Sequence, residues 1–171
     1  IPLATIGFIV GAILFALYAF SLRPYAASGG IRYSYIWAYY LMAITFLMWG
    51  VAAANGTEIS LFMGVLAGNA CILAGSVLLL NTVVRDRTME SIAAGVAVVL
   101  FVGRLSLLPP APYMEGGVLV FNTDPIVSAV YALLFAAIWL PASISVGAAV
   151  GAQGKVPEFT RLVTWLSGLS L

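Results

Sequence analysis

The side chains able to do chemistry are few, and most of them stand at the margins of long apolar runs. The acids at 58, 86, 90, 115, 124 and 158 all lie at run ends or in connections. Histidine is absent and Cys71 is the one cysteine. The sequence therefore offers no paired carboxylates for acid–base work and no nucleophile beside its base. It also offers no Cys/His cluster for a metal and no glycine loop for a phosphate. Catalysis is not expected, and neither is a cofactor or a bound metal. A lone thiol excludes an intrachain disulfide; in mid-run it reads as a small inert packing group. Ion-coupled carriers place an ionisable group near mid-membrane, and no such group stands there.

What remains inside the runs is almost entirely uncharged. Thr45, Asn69 and Ser76 are the candidate polar positions, either as interhelical hydrogen-bonding groups or as stations on a solute path. Asn69 and Ser76, seven residues apart, share one stripe of a helix. Arg104 is the one cation within a run, about one turn before Pro109-Pro110. The connection 109–124 brings Asp124 back beside it, which makes Arg104–Asp124 the candidate ion pair; snorkelling of Arg104 to the headgroups is the competing reading. Pro141 falls mid-helix, where it removes a backbone hydrogen bond and is expected to produce a kink.

These residues need carriers, and composition says what kind. Of 171 residues, 63% are hydrophobic and 8% are charged, and the mean hydropathy is +1.12. A soluble domain carries about 25% charged residues, so a water-facing surface cannot be built from this chain. The expected fold is an all-α, polytopic transmembrane helical bundle forming a single domain over 1–171. Spans are placed at about 2–22, 35–54, 59–84, 88–108 and 125–152, each long enough for a bilayer core of roughly 30 Å. Residues 156–171 keep helical spacing and form either a sixth, partial span or an interfacial helix. The chain opens at Ile1 without methionine and ends at Leu171 in an apolar segment, so a longer parent chain is expected.

The run 59–84 organises the rest. Gly64, Gly68, Cys71 and Gly75 fall on one narrow face at about 100° per residue, a face on which a neighbouring helix can come close, while Val65 lies off it. Gly7 and Gly11 form a GxxxG pair, and Ser143, Gly147 and Gly151 form a ladder of small residues after Pro141. Tyr33, Tyr35, Trp37, Tyr39 and Tyr40 crowd the start of the second span, where rings suit the headgroup zone. Val118–Phe121 is expected as a short strand or an interfacial dip.

Loop charge supplies an orientation. Arg23, Arg32, Arg85, Arg87, Lys155 and Arg161 lie in alternate connections, whereas Glu58, Glu115 and Asp124 occupy the others without a basic residue. The positive-inside rule then puts the N-terminus outside. The basic residues are scattered, so no nucleic-acid partner is expected; the expected partners are the lipid bilayer and other membrane helices or subunits. The expected function is a non-catalytic integral membrane module. It is either an accessory subunit of a larger membrane complex or the multi-pass input region of a bacterial sensor, sited in the cell membrane (a bacterial inner membrane). The alternative is a channel or carrier for a small solute, with Thr45, Asn69, Ser76 and the Pro141 kink as its path.

Overall fold

The structure is a computed structural model that describes residues 2–83, 112–120 and 125–152, with single positions between 88 and 98. Helix α1 covers Leu3–Ser21, α2 covers Arg23–Ala27, α3 covers Tyr33–Asn55 and α4 covers Glu58–Val83. Strands β1 (Tyr113–Glu115) and β2 (Val118–Val120) follow, and then α5, Pro125–Ala152. Among the described residues, three helical stretches are long and apolar enough to cross a membrane: Leu3–Ala27, Tyr33–Asn55 and Glu58–Thr82. Within α5 the stretch Phe135–Ala148 is a shorter apolar helix by the same measure. Most of the expected span 88–108, the segment 156–171, Arg104 and Asp124 lie outside the described residues, as do Arg85, Arg87, Lys155 and Arg161.

The chain's punctuation makes the bundle antiparallel. α3 ends on Gly56, whose φ of 65° allows its N–H to bond back to the Ala52 carbonyl, a left-handed stop that glycine adopts without strain. One residue later the Thr57 hydroxyl accepts from the Ser60 amide at 3.3 Å, capping the start of α4. α3 and α4 are thereby returned against each other over their whole length. Residues 23–27, expected as loop, are helical instead. Pro24 stands in the first turn of α2, where its missing N–H costs nothing and its fixed φ suits a helix.

Between α4 and α5 the chain makes a hairpin, so the bundle carries two short strands. Tyr113 pairs with Val120 and Glu115 with Val118, across Gly116 and Gly117 at φ 56° and 82°. Two successive positive φ angles give the tight turn that matches strand twist. The hairpin folds onto the start of α1: Ala4 donates its amide to the Gly117 carbonyl at 2.9 Å, which satisfies a donor the first helical turn leaves open. Leu119 packs beneath it with Ala52, Leu61 and Val65. Val65 is therefore buried, although it stands off the glycine face, because the hairpin covers a second side of α4.

Packing runs opposite to that of a soluble bundle. Leu3, Ile6, Val10, Ile13 and Leu17 of α1 are exposed, while its buried side chains are Thr5, Ala12, Tyr18 and Ala19. A helix apolar on every side, with its aliphatic face outward, belongs in a bilayer or a large core.

Candidate functional site

The polar side chains of the core gather where α1, α3, α4 and α5 meet. Tyr18, Tyr35 and Tyr39 are each essentially inaccessible, and Trp139 is 2% exposed. Their rings interlock edge to face: Tyr18 and Tyr39 lie 4.7 Å apart between centroids, Tyr39 and Trp139 5.3 Å. Phe135 stacks on Trp139 at 4.9 Å. Offset and edge-on ring pairs of this kind add roughly 0.5–1.5 kcal/mol beyond area burial.

Each polar tip in this cluster reaches a second helix. The hydroxyls of Tyr18 and Tyr35 lie 3.1 Å apart, joining α1 to α3. The Tyr39 hydroxyl and Ser143 Oγ, also 3.1 Å apart, join α3 to α5. Trp139 Nε1 donates to Ser76 Oγ at 3.0 Å, and Ser76 donates to the Ile72 carbonyl one turn back at 2.9 Å. Higher on the seam, Thr45 Oγ1 stands 3.1 Å from the Gly68 carbonyl of α4 and 3.0 Å from its own Leu41 carbonyl. In hydrocarbon such interhelical bonds average about 0.6 kcal/mol and reach about 1.7.

The sequence candidates distribute as follows. Thr45 and Ser76 are buried and bonded as described; Asn69 is half-buried on α4, one residue past the Gly68 carbonyl that Thr45 reaches, and Cys71 is a half-buried free thiol. The glycines of α4 meet α3. A Cβ on Gly64 would overlap that of Ala52, and one on Gly68 would overlap the Trp49 indole. One on Gly75 would stand 3.3 Å from the Ala38 carbonyl and 3.5 Å from Trp139. Gly11 lies under the Phe46 ring, but Gly7 is exposed and a Cβ there meets nothing within 4 Å among the described residues. The approach of α1 to α3 uses Gly11 and Gly50 in place of the GxxxG pair, since a Cβ on Gly50 would stand 3.3 Å from that of Phe8. Ser143 is bonded to Tyr39, Gly147 is half-buried, and Gly151 and Pro141 lie within the continuous range of α5.

The tyrosine–tryptophan cluster departs from the sequence expectation, because all five rings at the head of α3 suit a headgroup belt by type and position alone. A helical wheel separates them. Tyr35 and Tyr39 sit within about 40° of each other, while Tyr33, Trp37 and Tyr40 fall on the opposite side. The structure follows that division: Tyr33 and Trp37 are exposed at 53% and 58%, and Tyr35 and Tyr39 are buried.

The two ends of the bundle differ in charge. At the α2 end the Arg32 guanidinium donates to both the backbone carbonyl and the side-chain oxygen of Asn81, so a cation closes the C-terminal turn of α4, where the helix dipole favours it. The hairpin end holds Glu58 and Glu115. Compared with models of known protein families, with curated proteins and with solved structures, the chain matches none.

Proposed function

We propose that this chain is a non-catalytic integral membrane module. It serves as an accessory subunit of a larger membrane complex or as the multi-pass input region of a bacterial sensor. The proposal comprises five spans plus a sixth, partial or interfacial helix, with the N-terminus outside and the α2 end in the cytoplasm of a bacterial cell. One observation carries it: at the centre of the described core the polar groups of Tyr18, Tyr35, Tyr39, Thr45, Ser76, Trp139 and Ser143 bind helix to helix, while Thr5 Oγ1 and Ser34 Oγ are buried without a partner among the described residues. Thr45 and Ser76, the residues a solute path would need, instead reach the Gly68 carbonyl and the Trp139 indole. Groups so occupied tie helices together and give a solute nothing to exchange with.

The test is osmotic. Vesicles containing the purified protein are shrunk with urea, glycerol or a sugar alcohol, and their recovery is followed by light scattering. The module reading expects recovery at the rate of protein-free vesicles for every osmolyte. Faster recovery with one osmolyte, removed by Thr45→Val, establishes a solute path and overturns the reading.

A further inference from the structure

At the α2 end a groove of about 430 Å³ opens at the protein surface, lined by Arg23, Pro24 and Ala27 on one wall and by Tyr33, Trp37 and Tyr40 on the other. Arg23 is held across it by two rings: its guanidinium carbon lies 5.2 Å from the Phe20 centroid and 5.5 Å from the Tyr40 centroid. Among the described residues no carboxylate lies at this end, since Glu58 and Glu115 both stand at the hairpin end. The other cation at this end among the described residues, Arg32, is engaged by Asn81. The guanidinium of Arg23 thus presents N–H donors in a groove without an anionic partner among the described residues. Phe20, at 61% exposure, and Trp37 extend the groove onto the apolar outer face.

We propose that this groove binds an anionic phospholipid, with the headgroup phosphate on Arg23 and the first acyl carbons along Trp37 and Phe20. The proposal rests on the membrane placement argued above. Three features select a lipid. A guanidinium fits phosphate oxygens in a forked geometry. Tyrosine and tryptophan at this height suit the boundary between headgroup and chain. The groove also runs from a charged mouth to an aliphatic flank, the same polarity sequence as a phospholipid.

The experiment is native mass spectrometry of the purified full chain in a neutral detergent, titrated with phosphatidylglycerol or phosphatidylcholine. One phosphatidylglycerol should be retained in preference to phosphatidylcholine. Arg23→Gln should weaken that retention about fivefold, the loss expected for one basic contact to an anionic lipid, and Arg23→Lys should restore part of it. Both substitutions fall on an exposed side chain, so folding is preserved. Equal retention of the two lipids, an unaltered Arg23→Gln, or displacement of the lipid by millimolar inorganic phosphate each overturns the proposal. Extraction of the wild-type chain from membranes by alkaline carbonate tests the placement separately. If the chain stays in the membrane while lipid selectivity is absent, the groove proposal alone falls.

Discussion

Near the hairpin, α4 meets α3 through missing side chains: Gly64 lies against Ala52 and Gly68 against the Trp49 indole. Toward the α2 end Gly75 still sets α4 against the Ala38 carbonyl of α3, but here rings and hydroxyls tie the two helices to α1 and α5. The first half depends on shape, because a backbone approach this close leaves no room for a Cβ. The second depends on chemistry, because each buried hydroxyl or indole N–H must find a partner where water is excluded. The two halves should therefore fail differently. Enlarging a residue breaks the upper seam, and removing a polar atom loosens the lower one.

The largest effect is expected at Gly68. Leucine there collides with Trp49 and pushes away the carbonyl that Thr45 reaches, at a cost of about 1–3 kcal/mol or more. A fall in the thermal midpoint in detergent checks it, and an unchanged midpoint would mean that α3 and α4 do not pack along this face. Next comes Ser76→Ala, which leaves the buried Trp139 indole without its acceptor and should cost about 1–2 kcal/mol. Trp139→Phe on that background should cost less than it does alone, since the stranded N–H is then gone. A smaller contrast separates the glycines of α1: Gly11→Leu must displace the Phe46 ring, whereas a Cβ at Gly7 meets nothing within 4 Å among the described residues, so Gly7→Leu should stay within about 0.5 kcal/mol of wild type. Equal destabilisation at both positions would restore the GxxxG pair as a packing unit.

Orientation can be checked without any change in stability. Single cysteines at Ser28 and at Glu115, both exposed, are compared in a Cys71→Ser background with an impermeant thiol reagent applied to intact cells. Labelling at 115 and not at 28 is expected; the reverse pattern turns the proposed topology over.

Part of this organisation was legible beforehand. Spacing alone marks α4 as a helix with a glycine face, because a 3.6-residue period and the absence of charge are local properties. The end of the second span near 54 and the start of the third near 59 follow from the same local properties. One strand of the hairpin was among the expectations, since Val118–Phe121 reads as a short strand and β2 covers Val118–Val120. The pairing across Gly116-Gly117 and the hairpin's cover over Val65 were not, although Gly116-Gly117 is a turn signal in its own right. Its docking against Ala4 depends on where α1 begins in space, which no local pattern encodes. The inward tyrosines lay between these cases. The wheel divides Tyr35 and Tyr39 from Tyr33, Trp37 and Tyr40, yet which side faces the bundle depends on the positions of α1 and α5. Gly50 was missed because its neighbour is a residue of another helix, Phe8, and not a second glycine four positions away.

The account stands on buried polar groups acting as ties between helices, and the Tyr39–Ser143 contact, linking α3 to α5 across 104 positions of sequence, isolates one of them. A double-mutant cycle of Tyr39→Phe and Ser143→Ala, read as unfolding free energy in bilayer-mimicking micelles, measures it directly. The predicted coupling is about 0.6–1.7 kcal/mol, the range for interhelical hydrogen bonds in membranes. Single costs that add to within about 0.3 kcal/mol would contradict it, because two side chains that do not feel each other cannot be holding the helices together.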